Sequence, residues 1–148
     1  MLTFTLAGQR YAVRLEAVQR VLPAAALTPL PSAPEVVLGL LDLQGEPLPV
    51  LDLRRRFRLP LRELASSDHF LVVRAGALRL GLAVDAAGEV IEGGELTVHT
   101  PERVMAGLGL LEGVGSGEEG LVLIHDLETL LFRSEEREIL QALENLRS

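Results

Sequence analysis

The sequence predicts an all-β chain: two small β units packed on each other, short helices at their joints, and an amphipathic helix at the C-terminus. Three observations carry this. Apolar and polar residues alternate near the start. Two dense apolar runs flank a tight turn in the first third. The order strand, turn, strand, short helix, strand, hairpin occurs twice.

Taken in order, Leu2, Phe4 and Leu6 alternate with Thr3 and Thr5, and Tyr11, Val13 and Leu15 alternate beyond the turn at 7–10, so the chain opens with a hairpin. Val18, Val21 and Leu22 fall at helical spacing and stop before Pro23, which predicts a short helix over 16–22. Pro29, Pro31 and Pro34 stiffen the approach to the central stretch. There, 36–43 and 48–53 are apolar at nearly every position, as in strands covered on both faces. Gln44-Gly45-Glu46-Pro47 between them supplies the reversal. Residues 60–68 are polar and mixed, a loop. Strands are expected over 70–74 and 78–84, a second short helix over 85–90, and strands over 96–98 and 104–111. The glycine- and serine-rich residues 113–120 predict a turn, 121–124 a strand, and 126–132 a short helical turn. Ser134 suits an N-cap, with Glu135 and Glu136 at the positive end of the helix dipole. Ile139, Leu140, Leu143 and Leu146 give that helix its apolar stripe.

The repeat is visible residue by residue. Tyr11–Leu22 lies over Leu80–Ile91 without a gap, and Leu48–Leu53 lies over Val122–Leu127. The chain reads as one domain with halves at about 1–68 and 69–132, strands free to exchange between them, and the helix at 133–148. Halves this small are marginal alone and need a shared core.

Composition narrows the function. A net charge of −7 argues against a nucleic-acid partner, whose phosphates call for cationic surface. The chain has no cysteine, which excludes disulfides and thiolate metal sites. All 14 basic residues are arginine, which excludes Schiff-base lysines. No leader-like segment and no run of about 20 apolar residues is present, so direct membrane insertion is not expected and a cytoplasmic location is. His69, His99 and His125 are scattered without ligand spacing, and the serines lack a nucleophile frame. Asp42, Asp52, Asp85 and Asp126 fall at strand ends, where capping is the natural role. No catalytic residue, metal or cofactor is expected, and the chain reads as a non-enzyme. Arg54, Arg55, Arg56 and Arg58 form a basic run that reads as a solvated loop or as a docking patch for an acidic partner.

The central motifs also resemble a known family. Pro31-Ser-Ala-Pro34, Gly39-Leu-Leu-Asp42-Leu43-Gln44-Gly45 and Pro49-Val-Leu-Asp52-Leu53-Arg54-Arg-Arg-Phe57 resemble, at intact spacing, the pattern of CheW-like chemotaxis coupling proteins. Gly8-x-x-Tyr11, Gly81-Leu-Ala-Val84-Asp85 and the final Leu-Val-Leu-Ile-x-Asp-Leu extend the resemblance over most of the chain. It implies two packed five-stranded SH3-like β-barrels with a C-terminal helix. It implies an adaptor that joins a methyl-accepting chemoreceptor to the regulatory domain of a CheA-like histidine kinase. Carried over by position, the receptor-side residues are Val18, Gln19, Arg20 and Val21 and the turn residues Asp42 and Gln44. The family has an acid at 20, Asn at 42 and Arg at 44, so three positions depart. Charges at a contact set partner choice, and the departures leave open a divergent scaffold of a non-flagellar chemosensory pathway with altered receptor specificity. A small-molecule-binding β-barrel is the remaining alternative.

Overall fold

The computed structural model describes residues 1–99 and 111–147. Among them, eleven strands form two mixed sheets. The strands are β1 (Leu2–Leu6), β2 (Gln9–Val13), β3 (Val18–Pro23), β4 (Val37–Leu43), β5 (Glu46–Asp52), β6 (His69–Ala75), β7 (Leu78–Val84), β8 (Ala86–Val90), β9 (Thr97–His99), β10 (Leu111–Gly117) and β11 (Gly120–His125). Two α-helices, α1 (Leu53–Arg56) and α2 (Arg133–Arg147), and three single 3-10 turns complete the fold. The larger sheet runs β8-β1-β2-β11-β10-β9 and the smaller β3-β6-β7-β5-β4. The chain is therefore all-β in its body, with six and five strands in the two sheets.

Each sheet draws strands from both sides of residue 68. The neighbours β3, β6, β7, β5 and β4 repeat the order β8, β1, β2, β11 and β10. The sequence repeat accounts for this, because it equates Ala12 with Gly81 and Val50 with Ile124. The parallel pairs join Val50 to Gly81 in one sheet and Ile124 to Ala12 in the other. Each sheet thus takes the opening hairpin of one repeat and the last three strands of the other, β9 being extra.

The principal core lies between the sheets. Phe4 and Leu6 from β1, Leu51 from β5, Leu71 and Val73 from β6, and Leu80 and Leu82 from β7 are fully buried there. The opposite face of the smaller sheet closes on its own cluster of Leu41, Leu48, Val50, Phe70 and Val72. This is why 36–43 and 48–53 show no alternation: their strands are covered on both faces. Phe4, Tyr11, Phe57 and His125 form a continuous ring stack, with centroids 5.5, 5.3 and 4.3 Å apart, that ties both opening strands to the C-cap of α1 and to β11. Burial pushes the Tyr11 hydroxyl pKa up.

Several expectations are corrected. Residues 16–22 are not a helix: Leu15–Ala17 makes one 3-10 turn and the rest is β3. A bulge between Val18 and Arg20 shifts the strand's phase by one residue, which mimics helical spacing. Residues 86–90 are likewise strand, β8, an edge strand with its own bulge against β1, and Asp85 is the bend before it. The stretch 113–120 is mostly strand. Gly113, Gly115 and Gly117 recur at the strand period because β10 runs close under Val98 and Leu96, where added Cβ atoms would lie 3.0–3.1 Å from side-chain carbons. Helix α2 starts at Arg133 rather than after a Ser134 cap, and the Glu135 carboxylate accepts from the Phe132 N–H (2.9 Å). Its stripe is narrower than expected: Ile139 and Ala142 are buried, while Leu140 and Leu146 are exposed. The strand expected over 104–111 lies outside the described residues apart from Leu111, which opens β10.

Gly39 is where the proline lead-in crosses β4. Thr28 and Leu40 exchange backbone hydrogen bonds (2.9 and 2.7 Å), and a Cβ on Gly39 would sit 2.8 Å from the Thr28 carbonyl oxygen. Gly39→Ala is expected to destabilise the protein by about 2 kcal/mol, lowering Tm by about 4–8 °C in a thermal melt.

Candidate functional site

The two stretches assigned to the receptor side meet at one end of the smaller sheet. On β3, Val18 is half-buried against the inter-sheet core, while Gln19, Arg20 and Val21 are exposed. On the β4–β5 hairpin, Leu43 pairs with Glu46 and the reversal is the two-residue turn Gln44-Gly45. Both turn residues lie in the left-handed region (φ +54° and +89°), the conformation that matches a turn to twisted strands. The Asp42 carboxylate accepts from the Gly45 N–H (2.7 Å), so its first role is to hold the turn. Gln44 projects from the tip, exposed. A shallow groove along the hairpin is lined by Thr28, Leu40, Leu41, Asp42, Gly45 and Pro47.

Arg79 connects the stretches. From β7 its Nε donates to the Gln19 side-chain oxygen (2.8 Å) and its Nη1 to the Glu46 carboxylate (3.0 Å). It thereby reaches over β6 to β3 on one side and touches β5 on the other. Sequence reading missed this residue. Its one signal is its place between Leu78 and Leu80, which marks it as facing away from the inter-sheet core and nothing more.

The basic run has a different fate at each position. Arg54 makes two hydrogen bonds to the Asp85 carboxylate (2.9 and 2.7 Å) and a third to the Pro60 carbonyl (3.1 Å). Arg56 pairs with Glu135 of α2 and lies over the Phe132 ring (4.6 Å to its centroid). Both guanidinium groups are mostly buried and bound to the chain's own carboxylates. Arg55 pairs loosely with the exposed Glu35 (3.3 Å), and Arg58 is exposed. A docking patch at this run would therefore rest on Arg55 and Arg58. Asp52 caps α1 and Asp126 caps the 3-10 turn at Leu127–Thr129, as their strand-end positions suggest.

Asp85 anchors a wider network. Its carboxylate also binds Arg62 (2.6 Å) and accepts from the Ala7 N–H (2.9 Å). Arg62 in turn grips Asp68 (2.7 and 2.8 Å), and Asp68 accepts from the Ala65 N–H (2.8 Å). The Arg62 hydrogen bond holds the Asp68 carboxyl below its ordinary value of 3.8, with burial opposing and the Ala65 N–H assisting. The Arg62 pKa is raised in return. His69, His99 and His125 stand at strand ends, and among the described residues no group of three acidic, His or Cys side chains is arranged to hold a metal ion.

Exposed residues of β3, a tight turn and a shallow groove thus stand together at this end of the smaller sheet. The family model for the CheW-like domain matches residues 1–135, and the chain belongs to that family. It is 29% identical to the chemotaxis protein CheW of Treponema pallidum (strain Nichols), over 99% of this chain and 87% of that protein. It is 28% identical to the chemotaxis protein CheW of Bacillus subtilis (strain 168), over 82% and 75%. The crystal structure of the scaffolding protein TtCheW from Thermoanaerobacter tengcongensis superposes with a TM-score of 0.80 at 26% identity, covering 90% of this chain and 92% of that one.

Two outcomes are expected from the Asp85 network. Arg54→Ala leaves a partly buried carboxylate short of a partner and should cost about 2 kcal/mol, read as a lower urea midpoint at unchanged m-value. Because the Asp68 pKa is lowered on folding, its contribution is complete above the ordinary value of 3.8 and is lost as pH falls through the folded value. The stability difference between wild type and Asp68→Asn should therefore be full at pH 5–8 and shrink below about pH 4 in pH-dependent urea melts.

Proposed function

We propose that this protein is a non-catalytic adaptor that couples the cytoplasmic tip of a chemoreceptor to the regulatory domain of a CheA-like histidine kinase. The observation that carries the reading is the CheW-like domain match over residues 1–135, together with whole-chain likeness to a structure described as a scaffolding protein. The mechanism is geometric. Two sheets locked by one core and one ion-pair network make a rigid spacer, and a rigid spacer fixes the kinase against the receptor by placing one surface toward each. The receptor side is the end of the smaller sheet, with Val18, Gln19, Arg20, Val21, Asp42 and Gln44. Among the described residues no helix is long and apolar enough to cross a membrane.

Co-sedimentation with membranes carrying a candidate receptor, with and without the matching kinase, tests this. The protein should bring the kinase down and change its autophosphorylation rate. Arg20→Glu combined with Gln44→Arg should change receptor binding by about tenfold or more while kinase binding stays constant. Unchanged receptor binding in that variant would remove the site assignment, and binding to neither partner would remove the coupling role.

A further inference from the structure

The smaller sheet sets three arginines on one face near the candidate receptor end. Arg74 of β6 and Arg79 of β7 are directly paired across the ladder, and Arg20 of β3 is paired with Val72, one pleat from Arg74. Directly opposed like charges destabilise a sheet, so stability alone does not favour arginine at both 74 and 79. Arg79 is held by Gln19 and Glu46. Among the described residues the Arg20 and Arg74 side chains make no hydrogen bond or ion pair, and both residues are exposed.

The sequence repeat supplies a comparison inside the same molecule. Arg79 corresponds to Arg10, Arg20 to Glu89 and Gln44 to Glu118. Arg10 sits at the matching end of the larger sheet, in a depression lined by Glu89, Glu95, Glu118 and Glu119, and pairs with Glu119 (3.4 Å). Two equivalent ends of one fold thus carry opposite charge, in a chain whose net charge is −7. Arg74 also borders a cleft with Glu16, Asp126 and Glu128, which limits the positive surface on that side.

We propose that Arg79, clamped between Gln19 and Glu46, fixes the shape of the smaller sheet's end, and that Arg20 and Arg74 beside it dock an acidic segment of the partner protein. The inference rests on the receptor-side reading above and specifies its chemistry. An acidic segment finds cations at this end and carboxylates at its twin, so charge decides between two surfaces of similar shape. Arg79 is a positioning residue: its guanidinium spans the bulge on β3 and the first residue of β5, and holds both in register with each other.

The test measures binding of the wild-type protein to the cytoplasmic fragment of a candidate chemoreceptor, to poly-L-glutamate and to anionic phosphatidylserine vesicles, at low and high salt. Expected are fragment binding that weakens about tenfold with added salt, and a loss of about tenfold in each of Arg20→Glu and Arg74→Glu. Arg79→Ala should weaken binding about fivefold with an unchanged melting curve, and the swap Arg79→Glu with Glu46→Arg should recover most of it. Fragment binding that ignores salt and both charge reversals overturns the acidic-segment inference and leaves the receptor reading standing. Poly-L-glutamate binding lost in Arg20→Glu, with no fragment binding, supports the acidic preference and removes the receptor reading. Vesicle binding, or self-association in sedimentation, that alone depends on Arg20 and Arg74 overturns the proposal in favour of a lipid surface or a second copy.

Discussion

Asp85 stands where the chain leaves one sheet and enters the other. It is the single residue between β7 and β8, at one of the points where the chain crosses from sheet to sheet. Its N–H donates to the Thr5 carbonyl (3.0 Å) while its carboxylate accepts from Ala7, Arg54 and Arg62. Those partners belong to β1 and its turn, to α1, and to the long loop before β6. An ion pair at the surface contributes little. Here Arg54 is mostly screened from water and the carboxylate is shared among three elements, so the network acts as a positional lock whose Arg54 arm is costly to remove singly. The inter-sheet core supplies the larger stabilisation, but apolar packing is non-directional and tolerates sliding. The network at Asp85 gives the pose its register.

The repeat does not carry the residues of this lock to its other half. Asp85 and Arg54 correspond to Glu16 and Glu128, so the matching corner sets two carboxylates where this one pairs an acid with a base. The aspartates that do recur, Asp52 and Asp126, keep the same job of capping the turn after a strand. A duplicated fold has conserved between its halves the local chemistry that every turn needs. The side chains that need act only once per molecule have diverged: the bridge at one corner, and the charges at the two sheet ends.

What the sequence reveals and hides follows from the same physics. The opening hairpin is legible because Leu2, Phe4 and Leu6 face the inter-sheet core while the alternate positions of β1 are threonines, so apolar and polar residues alternate cleanly. The 44–45 turn is legible from Gly45. β3 and β8 are hidden because a bulge in each pairing breaks the period of two, and apolar residues then land at helix-like intervals. β10 is hidden because its glycines read as turn residues, although their spacing of two is that of a strand whose neighbour passes too close for a Cβ. At the candidate site, Val18 to Val21 and Asp42 to Gln44 were found through motif spacing alone. Arg79 was not, because its role depends on reaching over β6, and no local pattern encodes a contact between residues 60 apart. The basic run failed to separate for a related reason: four arginines alike in sequence become two internal bridges and two surface charges only when Asp85 and Glu135 arrive.

The exchange of strands between the repeats bears on how the protein emerges during synthesis. β2 pairs on one side with β1 and on the other with β11, more than 100 residues later. The β1–β2 hairpin therefore carries an apolar face and an open strand edge until β11 has been made. Such long-range pairings slow folding and lengthen the time that a sticky edge is exposed. Chaperone demand should accordingly fall on the early chain, and a nascent product truncated before β11 should be aggregation-prone even though it contains every strand of the smaller sheet.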